Sequence, residues 1–272
     1  MTAVIAGGGL LGLEAAYALH KLGLRVTVLE RGGRLLRRQL DARASALLRT
    51  YLEGLGLAIL CDAETAAVEG DGRVRMAHLA DGRGVEADVV LAAAGITPNS
   101  ELARAAGLAV NRGVLVDERM RTQDHAILAA RDVAEHAGRV HGLWPVASRR
   151  RRSRPTTRSA AARNTAARSR SRCSRSCASS TSVGRFEASD DDEVIALEEP
   201  GGRYRKLVIE DGRIVGAILL GHSAEVAAVR TAIDRGFPVG GVMDALRAGR
   251  WTALAELSGE RPLLAGAPTG AG

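Results

Sequence analysis

The sequence predicts an α/β protein whose first third is a parallel, doubly wound sheet. Three observations predict it. Short apolar runs alternate with helical patterns from Met1 to about Ala93. A glycine-rich turn, Gly7-Gly8-Gly9-Leu10-Leu11-Gly12, stands between the first apolar run and the first helical pattern. A carboxylate, Glu30, ends the second apolar run, 18 residues beyond Gly12.

The elements follow in order. Ala3 to Ala6 reads as a buried strand. Leu10 to Leu22 carries Leu13, Ala16, Tyr17 and His20 at helical spacing, and Gly23 supplies the stop. Arg25 to Glu30 is the second strand. Asp41 is a good cap for a helix from Ala42 to Leu55, and Leu57 to Cys61 follows as a strand, completing βαβαβ. Ala66 to Glu69 and Arg73 to Leu79 predict a hairpin across Gly70-Asp71-Gly72. Ala87 to Ala93 is a buried strand ending near Gly95. A short helix near Glu101 to Ala106 comes next, then strands at Gly113 to Val116 and Ala126 to Ala129. Beyond Val183, strands at Val194 to Glu198, Tyr204 to Ile209 and Ile214 to Leu220, with a helix from Ser223 to Arg235, make a small α+β unit. The residues after 250, rich in Ala, Gly and Pro, read as a loose tail.

The glycine turn has glycines at its first, third and sixth positions. Gly7 permits the tight turn, Gly9 lets a pyrophosphate approach the backbone, and Gly12 lets helix and strand close up. The amides of Leu10 and Leu11 then face the phosphates at the helix end. Glu30 is placed to accept hydrogen bonds from a ribose diol, and its charge opposes the 2′-phosphate of NADPH, so the expected cofactor is NADH rather than NADPH. Arg31, Arg34, Arg37 and Arg38 are the counter-argument, because guanidinium groups there would welcome that phosphate.

The 272 residues are long enough for about two domains and carry a formal charge of +7. Eleven arginines and no acidic residue lie between Arg149 and Arg175, so without them the remainder is net negative. The span 148–182 contains no Val, Ile, Leu, Met, Phe, Trp or Tyr and is expected to be disordered. Its charge alone admits a nucleic-acid arm, but it has no aromatic for stacking, so nucleic acid is not the expected partner. A basic linker and a shifted reading frame are the other two accounts of it. No apolar run approaches the roughly 18 residues of a membrane span, no signal peptide begins the chain, and three cysteines make no disulfide framework. These point to the cytoplasm and to no membrane. No metal spacing among the histidines and no catalytic nucleophile with its base can be assembled.

With the glycine turn, Glu14, Glu30, Thr97-Pro98-Asn99 and the segment from Thr122 to Asp132 together, the chain resembles the FAD-dependent pyridine nucleotide-disulfide oxidoreductases. Arg38-Gln39-Leu40-Asp41 and Gly142-Leu143-Trp144-Pro145 look most like the flavin part of NADH-dependent nitrite reductase large subunits and similar ferredoxin or rubredoxin reductases. The resemblance implies a Rossmann-type NAD domain over 1–93, the C-terminal part of an FAD domain over 94–147, the Arg/Ser segment 148–182, an α+β domain over 183–250 and the tail 251–272. It implies hydride transfer from NADH to FAD and delivery of electrons to an acceptor protein. It places Glu14 near the nicotinamide, Gly95 at the return to the flavin domain, and Asp132 on the flavin ribityl chain. A surface helix position for Glu14 and a helix cap for Asp132 are the plainer alternatives. Three departures accompany the match. Met1 begins at the NAD-binding strand, so the N-terminal flavin half is expected to be missing or carried by a separate polypeptide. Arg131 replaces the glycine before Asp132, and the family pattern stops at Ser148. A colourless, nucleotide-binding remnant is therefore the alternative to an active oxidoreductase.

Overall fold

The computed structural model describes residues 1–140, 170–172 and 180–257. The Gly142-Leu143-Trp144-Pro145 motif, Cys173, Cys177, most of the Arg/Ser segment and residues 258–272 lie outside them.

Strand β1 (Thr2–Ala6) leads into helix α1 (Leu10–Lys21), strand β2 (Arg25–Leu29), helix α2 (Ala42–Gly54) and strand β3 (Ala58–Leu60). Strand β7 (Val89–Ala92) joins them in a four-stranded parallel sheet of order β3-β2-β1-β7. This is the parallel α/β sheet that the alternating pattern predicts. Helices α1 and α2 cover one face, and on the other Val4 and Leu29 pack against Ala77, Leu79 and Ala87, so the strands are buried on both faces and are apolar throughout. Ile5, Leu13, Val28, Leu48 and Leu52 form its core, each fully buried. Asp41 caps α2 as expected, its Oδ1 accepting from the amide of Ala44 at 2.9 Å.

Between β3 and β7 lies an antiparallel sheet of β4 (Thr65–Gly70), β5 (Val74–Leu79) and β6 (Gly84–Glu86). The first two are the expected hairpin. The third strand is only Gly-Val-Glu, too short to show a period of two in sequence.

Helix α3 (Glu101–Ala105) and a parallel pair, β8 (Val114–Leu115) with β9 (Ala134–Glu135), surround a small cluster of Val114, Ala129 and Ala134. The strand expected over Ala126 to Ala129 is instead a turn. Asp124 organises it, its side chain accepting from Ala126 N and its carbonyl from Ile127 N, and Leu128 makes only an isolated bridge to Arg121. The pairing strand is β9, beyond the expected position.

The C-terminal sheet is antiparallel, in the order β10-β11-β14-β13-β12, from β10 (Arg170–Arg172), β11 (Ser180–Gly184), β12 (Glu193–Glu199), β13 (Arg203–Glu210) and β14 (Arg213–Leu220). Strand β10 and the first three residues of β11 fall within the span expected to be disordered. Ser180, Thr181 and Ser182 pair with Leu220, Leu219 and Ile218 through main-chain bonds, which need no apolar side chain. The apolar run of β14 is buried on both faces. Ala217 and Leu219 face helix α4 (Val226–Arg235), whereas Ile218 and Leu220 join the core around α2.

Helices α5 (Met243–Arg247) and α6 (Ala253–Leu257) follow, so the loose tail does not begin at residue 251. Trp251 is 1% exposed, its Nε1 donates to Leu246 O at 3.0 Å, and the Arg205 guanidinium lies 5.1 Å from its ring centroid. One indole with Leu254 three residues on anchors a segment whose Ala and Gly content suggested no core.

Candidate functional site

The glycine turn joins β1 to α1. Gly7 has φ +126°, and a Cβ there would stand 2.5 Å from Ala93 O, so no side chain fits. A Cβ on Gly12 would stand 1.9 Å from Gly7 O; this glycine is what lets α1 close onto the strand. Gly9 differs from both. Its φ is −83°, open to any residue, and nothing lies within 4 Å of its Cβ position. The fold therefore makes no demand for glycine at 9, and the space beside it is open. Gly9 is also the N-cap of α1, no side chain caps the helix, and its first turn has no acid. The amides of Leu10 and Leu11 thus present the positive end of a 12-residue helix at that opening.

Glu30 follows the last residue of β2 at the same edge. Its Oε2 accepts from Gly8 N at 2.8 Å and its Oε1 from Gly32 N at 2.8 Å. Sequence reasoning missed this bracing. Each carboxylate oxygen retains a lone pair beyond the amide it accepts, so the diol-binding capacity is kept while the group is locked in place. A Cβ on Gly8 would stand 2.6 Å from Leu35 Cδ2 and 3.0 Å from Glu30 Oε2, so a larger residue there would displace one or both side chains. The loop after β2 is tied down further by Leu36 N, which donates to Gly8 O at 3.1 Å.

The end of β7 completes this edge. Ala93 N donates to Ala6 O at 2.8 Å, and Gly95, two residues on, has φ +116° with open space at its Cβ position. Glu14 lies half-buried on α1, two residues after Gly12. The structure therefore brings Gly7, Gly9, Leu10, Leu11, Gly12 and Glu30 around one opening at the C-terminal ends of the parallel strands. Ligands bind there in open α/β sheets.

Asp132 belongs to the separate 94–140 cluster, exposed in a 3-10 turn of Arg131–Val133. Arg131 has φ +68°, the left-handed conformation that glycine adopts without strain. The backbone of a glycine is kept and the side chain is not, so this turn fits a close cofactor approach poorly. Among the described residues no group of three or more His, Cys, Asp or Glu could hold a metal ion. Cys61 is a free thiol whose pKa burial pushes up, which makes it a poor nucleophile.

Residues 1–161 match the pyridine nucleotide-disulphide oxidoreductase family, and residues 178–237 match the C-terminal domain of rubredoxin NAD+ reductase. The chain belongs to the pyridine nucleotide-disulphide oxidoreductase family. It is 38% identical over 228 residues to a nitrite reductase [NAD(P)H] of Bacillus subtilis (strain 168), covering 82% of this chain and 28% of that protein. It is 46% identical over 153 residues to the ferredoxin–NAD(+) reductase component of a biphenyl dioxygenase system of Paraburkholderia xenovorans (strain LB400), covering 56% of this chain and 36% of that protein. A covalent putidaredoxin reductase–putidaredoxin complex superimposes with a TM-score of 0.77 at 24% identity, over 95% of this chain and 64% of that one. The chain thus spans about a third or less of these two curated relatives. Members of the family use FAD and NAD(P)H, and among the described residues no helix is long and apolar enough to cross a membrane.

Proposed function

We propose that this chain is the pyridine-nucleotide part of a flavin oxidoreductase that takes hydride from NADH and passes electrons through FAD to an acceptor protein. The observation that carries the nucleotide half is Gly9, a glycine with ordinary φ and open space, at an uncapped helix N-terminus beside a braced carboxylate. Gly9, Leu10 and Leu11 would hold the pyrophosphate through backbone amides, Gly7 and Gly12 shape the turn, and Glu30 would accept the ribose hydroxyls. Glu14 is assigned to the nicotinamide end and Gly95 to the return toward the flavin. FAD, when bound, supplies the two-electron chemistry, and this chain's contribution is to bind and orient the dinucleotide. A cytoplasmic location goes with the free Cys61 thiol and with acceptors of the kind named for the relatives: ferredoxin for one, rubredoxin for another.

Arg131 favours a second reading, in which the chain binds the nucleotide without retaining flavin by itself. Asp132 would then need the rest of the flavin site from a separate polypeptide.

Calorimetric titration with NADH tests the first half. Glu30→Ala removes the ribose acceptor and the brace on Gly8, and NADH affinity should fall about 10- to 100-fold, the equivalent of losing hydrogen bonds to a charged group at about 1.5–3 kcal/mol. Unchanged affinity would overturn the assignment of Glu30. The absorbance of the purified protein tests the second half, since stoichiometric flavin would remove the case for the nucleotide-only reading.

A further inference from the structure

The loop from Glu30 to Asp41 joins β2 to α2, and its middle is strained. Leu36 has φ +48°, a left-handed conformation that a residue with a Cβ keeps only where its surroundings over-determine it. The strain serves Gly8. Leu36 N donates to Gly8 O at 3.1 Å, and Glu30 Oε2 accepts from Gly8 N at 2.8 Å, so this one loop holds both main-chain polar groups of Gly8.

Part of what keeps Leu36 in place comes from the C-terminal sheet. Leu35, Leu36 and Leu40 are buried in one core with Tyr204, Ile218 and Leu220 of β13 and β14, and Ser45 Oγ donates to Leu35 O at 2.8 Å. The far end of the loop is fastened by polar contacts: Asp41 Oδ2 accepts from the Tyr204 hydroxyl at 3.1 Å and from Lys206 Nζ at 3.0 Å. The Lys206 and Asp41 side chains are only 12% and 16% exposed, so water competes little for this contact. A sheet far along the chain thus covers and ties down the loop that fixes Glu30.

We infer that Lys206 and Tyr204 are positioning residues for dinucleotide binding, acting through Asp41 and the buried leucines to hold Glu30 and Gly8 in the binding geometry. The inference rests on the dinucleotide reading above. A binding group keeps its geometry when the groups behind it are locked by packing and hydrogen bonds. Loosening the roof over the loop lets Leu36 relax to an ordinary φ, which withdraws its amide from Gly8 O and frees the turn that braces Glu30. The carboxylate must then be ordered again when ligand binds, and that ordering is subtracted from affinity.

The test combines two measurements on the full chain, well below its melting temperature. Calorimetric titration with NADH compares the wild type, Lys206→Met, Tyr204→Phe, Glu30→Ala and Glu30→Ala/Lys206→Met. Hydrogen exchange without ligand follows the Gly8 and Gly32 amides in the wild type and the first two variants. Lys206→Met should weaken NADH binding about 3- to 10-fold and Tyr204→Phe less, and both should speed exchange at Gly8 and Gly32. In the Glu30→Ala background, Lys206→Met should cost less than about twofold, because the group it positions is gone. A purely structural role predicts the same loss with and without Glu30, and that result would overturn the inference. Unchanged affinity and unchanged exchange in the variants would overturn it too; if Lys206→Met does not fold, Tyr204→Phe, which keeps its ring in the core, decides. A wild type that fails to bind NADH sinks the dinucleotide reading instead, and faster exchange at Gly8 and Gly32 in the variants would then still uphold the anchoring of the loop.

Discussion

Asp41 and Lys206, 165 positions apart, meet at 3.0 Å between Oδ2 and Nζ. The same Oδ2 accepts from the Tyr204 hydroxyl at 3.1 Å, while Oδ1 caps α2. One carboxylate therefore starts a helix of the parallel-sheet unit and fastens the C-terminal sheet to it. Tyr204 joins Leu40, Ala44 and Leu48 in a shared core, and burial beside Asp41 pushes its phenol pKa well up. Both side chains of the Asp41–Lys206 pair are largely buried, so the pair is screened little by solvent.

Asp41→Ala should destabilise the protein by about 2–4 kcal/mol. The cap contributes about 1 kcal/mol, and the remainder is the cost of leaving a buried ammonium and a hydroxyl without their acceptor. Asp41→Asn keeps the cap and a neutral acceptor and should lose less. Denaturant midpoints of the two variants decide it, and equal losses would show that the carboxylate charge, not the cap, carries the effect.

Three glycines of the turn between β1 and α1 should separate by phenotype. Gly7→Ala and Gly12→Ala put a methyl group against backbone oxygen atoms and should lower thermal stability markedly. Gly9→Ala adds a Cβ that meets nothing within 4 Å, so it should fold as the wild type does, and the bulkier Gly9→Val should lose NADH binding by more than about tenfold. A Gly9→Val protein that binds NADH normally would remove the main support for a pyrophosphate at this turn.

The parallel sheet was legible in sequence because its strands are continuous apolar runs and its helices carry strong periodicity, caps and glycine stops. The candidate nucleotide site was legible for the same reason, since Gly7, Gly12 and Glu30 have local, steric or charge roles at fixed spacing. Relationships between distant segments were not. Glu30 bracing Gly8 and Gly32, Asp41 reaching Lys206, and Trp251 returning under Arg205 leave no periodic signal. Ser180-Thr181-Ser182 shows a further limit, because main-chain pairing orders a strand whose side chains gave no reason to expect one. The short turn around Asp124 failed in the opposite sense, as Ala-Ile-Leu-Ala looks like a strand until Asp124 bends the chain.

Arg131→Gly should stabilise the protein by up to about 1 kcal/mol, because a left-handed φ of +68° strains a residue with a Cβ. The gain is offset in part by the greater freedom of glycine in the unfolded chain. If the turn that carries Asp132 contacts flavin, the same substitution should also raise FAD retention when the rest of that site is supplied. The stability effect is read from thermal melts of the chain alone, and flavin retention from absorbance after gel filtration. A melt lowered by the substitution would show that the Arg131 side chain makes contacts worth more than the backbone strain.

His222 should make stability fall as the medium is acidified below about pH 6.5. Its side chain is 1% exposed, and burial lowers its pKa, aided by the nearby Arg205 and Arg203 guanidinium groups and opposed by Glu225 and Glu199. Arg203 Nη2 lies 3.0 Å from Nδ1, so the neutral ring accepts from it there and holds its proton on Nε2, which has no hydrogen-bond partner. The unfolded chain binds a proton at His222 below its ordinary pKa of 6.5, while the folded chain resists until the pH reaches the lower folded value. Stability contributed by the neutral ring is therefore complete above pH 6.5 and is lost as the pH falls through that window. Denaturant midpoints between pH 7.5 and 5 should decline in the wild type and decline less in His222→Gln, which cannot take up the proton. Parallel pH profiles for the two proteins would assign the acid sensitivity to other groups.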